Sequence, residues 1–168
     1  MTLDIRPETT ADSAVINAVT TAAFLHAAHS SHTEQYIVSA LRRAGQLTVS
    51  RVAELDGEVI GHVAISPVDL SDGTPDWYGL GPISVLPAYQ GQGIGTQLMH
   101  ASLHALRMHG AAGCVVLGDP AYYKRFGFKA EPALVLADVP PEYFMALAFD
   151  AALPQAVVNY HPAFAAQS

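Results

Sequence analysis

The chain has 168 residues, 51% of them apolar and 14% charged, which is the composition of an ordinary globular protein. Its formal net charge of −7 argues against a nucleic-acid-binding surface, so an anionic ligand would be held mainly by backbone dipoles. No apolar run is as long as the about 18 residues that a membrane span requires, and the N-terminal residues lack a signal-peptide pattern. A single cysteine, Cys114, excludes an internal disulfide. We therefore expect one domain over residues 1–168, in the cytoplasm, without membrane or nucleic-acid partners.

The spacing of apolar residues predicts a mixture of strands and helices. In chain order these are a strand at 3–5, helices ending near 24 and 43, hairpin strands at 47–54 and 58–68, a strand at 78–86, a helix at 94–109, a strand at 114–117 and a short helix ending at 126–127. Residues 134–139 and 144–149 are predicted to form a final strand pair. Residues 157–160 either complete the same sheet or pair with a second copy, which leaves a homodimer open. The order predicts one mixed α/β structure.

Three alternating glycines, Gly91, Gly93 and Gly95, lie between the strand at 78–86 and the helix at 94–109. Glycine allows a ligand to approach the backbone closely, and the free N–H groups at a helix start attract an anion such as a pyrophosphate. The spacing is not the Gly-x-Gly-x-x-Gly of dinucleotide folds, and the Gly-Lys-Ser/Thr of a P-loop is absent. On the glycines alone, a tight turn without a ligand is an equal alternative.

The surrounding residues carry a family resemblance. Pro87-Ala88-Tyr89-Gln90-Gly91-Gln92-Gly93-Ile94-Gly95, preceded by Gly81-Pro82-Ile83-Ser84-Val85-Leu86, resembles the acetyl-CoA signature of the GNAT N-acetyltransferases. Downstream, Tyr123-Lys124-Arg125-Phe126-Gly127-Phe128 is similar to that family's Tyr-x-x-x-Gly-Phe element, and the tail from Asn159 is similar to its YhbS-like branch. The resemblance implies a GNAT fold, which is a mixed, mostly antiparallel sheet with splayed central strands flanked by helices.

The resemblance also implies an activity: transfer of an acetyl group from acetyl-CoA, as co-substrate, to a primary amine of a small molecule or peptide, by direct attack in a ternary complex and without a metal. It assigns cofactor binding to Ile83, Ser84, Val85, Gln90, Gly91, Gln92, Gly93, Ile94, Gly95 and Tyr122. The backbone N–H of Val85 is expected to stabilise the oxyanion formed when the amine attacks. Tyr123 is expected to protonate the departing thiolate. The alternatives are that Tyr123 only packs against the cofactor channel, or that Tyr122 and Tyr123 have the opposite roles.

Several assignments stay open at this stage. The candidates for a general base are His26, His29, His32, Glu34 and His62, and none is preferred. The first four are more typical of solvated loop residues, and His62 is more typical of a hydrogen-bonded strand histidine. Cys114 is expected to pack in the core rather than to act as a nucleophile. Lys124, Arg125 and Arg107 either hold CoA phosphates or are solvated surface charges.

Two departures from the family pattern affect the cofactor site. The region Gly118-Asp119-Pro120 lacks the asparagine that GNAT chains often carry near the start of the helix before the tyrosine, and Gln90 stands where many relatives have an arginine. A non-catalytic acyl-CoA-binding or partner-binding module, or a transferase with a longer acyl donor, is the alternative function, and the acceptor cannot be read from the sequence.

Overall fold

The computed structural model describes residues 2–28 and 30–168, which form eight strands and four α-helices. The strands are β1 (Leu3–Pro7), β2 (Val49–Leu55), β3 (Glu58–Leu70), β4 (Trp77–Val85), β5 (Gly113–Leu117), β6 (Leu134–Val135), β7 (Phe144–Ala148) and β8 (Ala156–Tyr160). The helices are α1 (Ser13–Phe24), α2 (Glu34–Arg43), α3 (Ile94–His109) and α4 (Pro120–Tyr123). No helix among these residues is long and apolar enough to cross a membrane.

The strands form an open mixed sheet in the order β1-β2-β3-β4-β5-β7, with β8 added beside β3 and β6 beside β8. Neighbouring strands are antiparallel except for β4 with β5 and β6 with β8. Helix α3 covers one face of the sheet through buried Leu98, Met99 and Leu106, and α1 and α2 cover the other face. Each such buried side chain contributes about 1.5–3 kcal/mol. The predicted mixed, mostly antiparallel sheet flanked by helices is confirmed.

The sheet splays open in its centre. β4 and β5 are paired only where Trp77–Gly79 lies beside Gly113–Val115. Beyond these residues β4 remains paired with β3, and β5 remains paired with β7. Two aromatic rings lie against glycines at this junction, since a Cβ on Gly113 would lie 2.4 Å from the Trp77 ring and a Cβ on Gly79 would lie 2.4 Å from the Tyr160 ring. Both contacts lie on the paired stretch, and the splay begins beyond its last pair, Gly79 with Val115.

The prediction of a final strand pair at 134–139 and 144–149 is wrong. Only Leu134–Val135 is extended, and it pairs with β8, whereas β7 occupies the edge of β5. The segment between them is broken by Asp138, whose φ of 66° is not a strand conformation, and by two prolines, Pro140 and Pro141. The tail at 156–160 pairs with β3 and β6 of its own chain.

Candidate active site

The glycine segment forms a loop between β4 and α3. A 3-10 turn at Pro87–Tyr89 precedes it, and Gly91 and Gly93 have φ angles of 74° and 82°, which residues with a side chain rarely adopt. A Cβ on either glycine would meet no other atom within 4 Å, so the backbone there is open to a ligand. Gly93 caps α3, whose first N–H groups face the same opening.

A cavity of about 420 Å³, here called the loop cavity, lies over this segment. Its lining residues are Val85, Tyr89, Gln90, Gly91, Gly93, Ile94, Gly95, Thr96, Tyr122 and Arg125. Gln92 is not among them, and its amide donates to the Ala88 carbonyl at 3.3 Å. Tyr89 and Thr96 were not predicted as site residues, although Tyr89 lies within the acetyl-CoA signature and Thr96 directly follows it.

Arg125 supplies the positive charge of the loop cavity. Its guanidinium stacks over the Tyr122 ring at 4.7 Å, and its Nε donates to the Tyr122 carbonyl at 3.2 Å. By contrast, Arg107 stacks over Phe149 at the far end of α3. Lys124 is exposed and does not line the cavity. Of the three predicted cations, Arg125 is therefore the one positioned for a phosphate.

The end of β4 presents an unpaired edge toward the splay. The Val85 carbonyl accepts from Gln90 Nε2 at 2.9 Å, so it points away from β3. The N–H and C=O of one strand residue point to the same side, so the Val85 N–H also faces the splay. The N–H and C=O of Ile83, two residues earlier, face the same side. Ser84 points its main chain toward β3 instead, and its side chain is buried.

Two further cavities continue from this edge. The α1 groove, of about 390 Å³, runs along the end of α1 and is lined by Ile83, Ser84, Val85, Phe24 and His26, among others. The aromatic cavity, of about 350 Å³, is lined by residues of β4 and of the end of β5, among others. Its lining residues are Phe24, Glu34, Ile37, Leu80, Gly81, Pro82, Ile83, Leu117, Tyr123, Leu136, Tyr160 and Phe164. Val85 connects the first two cavities, and Ile83 connects the last two.

Tyr122 and Tyr123 lie on α4 with their rings edge to face at 4.9 Å. Tyr122 faces the loop cavity, where a Cβ on Gly95 would lie 2.9 Å from its hydroxyl. Tyr123 faces the aromatic cavity, and burial, reinforced by Tyr122 and Asp119, raises its pKa to about 12. Asp119 caps α4 by accepting from the Ala121 N–H at 2.9 Å. The two tyrosines thus serve different cavities.

A family model described as the acetyltransferase (GNAT) family matches residues 15–128, which is more than half of the chain. The chain belongs to the GNAT family. A GNAT family acetyltransferase from Brucella melitensis, solved in complex with acetyl-CoA, is 51% identical with a TM-score of 0.87, over 97% of this chain and 98% of that one. YhbS from Escherichia coli, solved in complex with CoA, is 35% identical with a TM-score of 0.88, over 97% of this chain and 92% of that one.

The sequence comparison agrees with the predicted branch. The uncharacterized N-acetyltransferase YhbS of Escherichia coli strain K12 is 44% identical over 108 residues. That alignment covers 64% of this chain and 65% of the relative, so it spans slightly less than two thirds of the relative's length. The predicted GNAT membership and fold are confirmed.

The candidate bases of this GNAT chain lie in different places. His26 lines the α1 groove and Glu34 lines the aromatic cavity. His32 is exposed, and its Nδ1 lies 2.9 Å from the Phe24 carbonyl. His29 lies outside the described residues. Within the described residues no group of three or more His, Cys, Asp or Glu side chains is arranged to hold a metal ion.

His62 belongs to a buried polar cluster rather than to a cavity wall. Its Nε2 lies 2.7 Å from Ser50 Oγ, which donates in turn to Glu8, and Arg42 donates two hydrogen bonds of 3.0 Å to the Glu8 carboxylate. The 3.8 Å from His62 Nε2 to Glu8 is too long for a direct hydrogen bond, so Ser50 bridges them. Burial, opposed by Glu8, lowers the pKa of His62. His62 is therefore a neutral structural residue.

Cys114 lies in the core of this GNAT chain, on β5. Burial raises the pKa of its thiol, and the thiol donates a weak hydrogen bond to the Val115 carbonyl at 3.6 Å. A buried thiol that stays protonated is a poor nucleophile, so Cys114 acts as a packing residue, as the sequence suggested.

Proposed function

We propose that this chain binds acetyl-CoA and transfers its acetyl group to a primary amine. The observation that carries the proposal is the unpaired edge of β4. It adjoins the glycine loop at Val85 and the aromatic cavity, with Tyr123, at Ile83. A donor and an acceptor bound at its two ends would meet beside one strand.

The residues of the loop cavity fit the phosphates of CoA. Gly91 and Gly93 leave an open concave backbone where a side chain would block a ligand, and the start of α3 adds N–H donors. Arg125 adds one cation to an otherwise acidic chain. The unpaired edge of β4 would hold the pantetheine arm in the manner of a strand neighbour. Two solved relatives carry acetyl-CoA or CoA in their descriptions, which supports the same ligand here.

The acetyl group of acetyl-CoA is held in a thioester, and the protein must accelerate its transfer to the amine, which forms an amide. The amine nitrogen forms a bond to the carbonyl carbon, the carbon–sulfur bond breaks, the amine gives up a proton and the sulfur gains one. The Val85 N–H faces the opening and would donate to the carbonyl oxygen as negative charge grows there. Removal of one such donor typically costs about 3 kcal/mol.

Tyr123 would stabilise the departing sulfur. With a pKa of about 12 the phenol stays protonated at all physiological pH values, so it is always available as a donor. That pKa lies above the about 8.5 of an ordinary thiol, so a hydrogen bond to the developing thiolate is favoured over early, complete proton transfer. A fall in activity caused by ionisation of Tyr123 is accordingly not expected below pH 10.

Tyr123→Phe tests this assignment. Thiol release from acetyl-CoA with an accepted amine should fall by about 100-fold, while the CoA dissociation constant measured by calorimetry should change less than about twofold. Tyr143→Phe is the matched control, because Tyr143 is an exposed tyrosine outside the three cavities. Equal turnover of Tyr123→Phe and wild type would reject the role of Tyr123.

The alternative functions are separated by the same assay. CoA binding without thiol release for any amine would indicate a non-catalytic acyl-CoA-binding module. A higher turnover with propionyl- or longer acyl-CoA than with acetyl-CoA would indicate a different acyl donor.

A further inference from the structure

The aromatic cavity has the size and lining of a small-molecule site. Its volume of about 350 Å³ is at the lower end of the about 300–1,000 Å³ usual for such sites. It opens beside Ile83 and Tyr123, which places it at the reacting end of the proposed donor site. A single small amine fits this volume.

Aromatic and aliphatic side chains form most of its wall. Phe24 contributes from the end of α1, Ile37 from α2, and Tyr160 and Phe164 from the C-terminal segment. The rings of Tyr160 and Phe164 pack against each other at 4.8 Å. Burial raises the pKa of Tyr160, so its ring carries no charge at neutral pH. A wall of this kind favours an apolar body and tolerates a cation only near a ring face or a carboxylate.

Glu34 is the one carboxylate among the described residues that line the cavity. It is the first residue of α2, and both of its oxygens lie 2.8 Å from the Ser30 hydroxyl, which orients the carboxylate without neutralising it. Ser30 donates one proton, so the carboxylate keeps unused acceptor capacity for an ammonium group. An apolar cavity with a single oriented carboxylate is complementary to a ligand that has one ammonium group and is otherwise apolar.

We propose that the acceptor is a monoamine with an aromatic or branched aliphatic body, and that Glu34 recognises its ammonium group. That group gives one proton to water before its nitrogen attacks the thioester. This inference rests on the proposed acetyl transfer. An α-amino acid would bring its own carboxylate toward Glu34, and a polyamine would bury a second cation without a partner. The cavity is therefore expected to bind α-amino acids and polyamines more weakly than monoamines.

The proposal is tested with phenethylamine, phenylalanine and putrescine. The first two share an aromatic ring and differ in the carboxylate of phenylalanine, and putrescine is a diamine without a ring. With acetyl-CoA, kcat/KM should be higher for phenethylamine than for the other two by about tenfold or more. Glu34→Gln should lower kcat/KM for phenethylamine by about 10–100-fold, mainly through KM. Glu58→Gln, at the exposed β2–β3 turn, should leave it unchanged.

Direct binding separates this proposal from the proposed function. Binding of phenethylamine to the CoA-loaded protein is followed by ligand-observed NMR for wild type, Glu34→Gln and Glu58→Gln. Binding that weakens only in Glu34→Gln supports recognition by Glu34 even if no acetyl transfer is found, in which case the transferase assignment fails alone. Transfer to putrescine or phenylalanine in preference to phenethylamine, or a Glu34→Gln variant equal to wild type, overturns the monoamine proposal while the transferase assignment stands.

Discussion

A methyl group added at Gly118 should disturb catalysis through Tyr123 alone. The Cβ of an alanine at this position would lie 2.5 Å from Cε2 of the Tyr123 ring and 3.3 Å from its Cδ2. Ordinary contact begins at 3.4 Å, so the ring edge must retreat by about 1 Å. The ring cannot turn freely, because Tyr122 packs on it at 4.9 Å and Phe128 at 6.2 Å between ring centres. The ring itself must therefore shift.

A shift of about 1 Å in a reacting group can cost about 100-fold in rate. For Gly118→Ala we expect kcat to fall by about 10–100-fold and the thermal midpoint to fall by a few degrees, since overpacking costs about 1–3 kcal/mol. Tyr122 and the loop cavity lie on the other side of α4, so the CoA dissociation constant should stay within about threefold of wild type. Thiol release under saturating acetyl-CoA and calorimetry with CoA measure the two quantities.

A double-mutant cycle decides whether the effect passes through the Tyr123 hydroxyl. If it does, Gly118→Ala added to Tyr123→Phe should lower kcat by less than about twofold, because the group that it displaces is already gone. Additive losses in the double variant would show that Gly118→Ala acts elsewhere. Unchanged kcat in Gly118→Ala would refute the claim that the position of Tyr123 limits the reaction.

Three further predictions concern the loop and the fold. Arg125→Ala should weaken CoA binding by about tenfold, with a loss that shrinks at high salt, whereas its exposed neighbour Lys124→Ala should have little effect in the same calorimetric titration. Gly93→Ala should lower the free energy of unfolding by about 1–2 kcal/mol in urea, because φ at this position is 82°, and an unchanged midpoint would contradict that conformation. Hydrogen bonds from Arg6, partly opposed by burial, lower the pKa of Asp12 to about 2, so Asp12 stabilises the fold above pH 4 and loses that contribution as the pH falls toward 2. Urea unfolding of Asp12→Asn should be easier by about 1–2 kcal/mol at pH 7, with the difference vanishing near pH 2.

The donor end of the site was predictable because its information is local. Glycine conformation, the start of α3 and the end of β4 are encoded within residues 83–95, and the structure has the predicted loop between a strand and a helix at that place. The splay followed from the family resemblance and is confirmed. The contact of Gln92 with the cofactor stays a prediction. Its side chain turns back to the Ala88 carbonyl, which the sequence did not indicate.

The strand order near the C-terminus depends on long-range pairing and was not predictable. Residues 134–139 are apolar enough for a strand, but a strand needs a neighbour, and the free edge of β5 is taken by β7. The sequence indicated that His62 is a hydrogen-bonded strand histidine, but its partners could not be read for a related reason. Its partners, Glu8, Ser50 and Arg42, come from three other elements, and only their meeting in space shows that the histidine is buried and neutral.

The proposed donor and acceptor sites would use different groups of the protein, so the amine that is accepted can change without a change of the acetyl donor. The phosphates of the donor would be held largely by main-chain groups, whose direction is set by the glycine loop and by the edge of β4. The acceptor would be held by side chains that come from opposite ends of the chain, such as Phe24, Glu34 and Phe164. Substituting one of those side chains alters the wall of the aromatic cavity without moving the loop or Val85. Selection for a new amine can therefore act on the acceptor wall while acetyl-CoA binding is retained, and this is why the loop identifies the donor and leaves the amine to be inferred from the cavity.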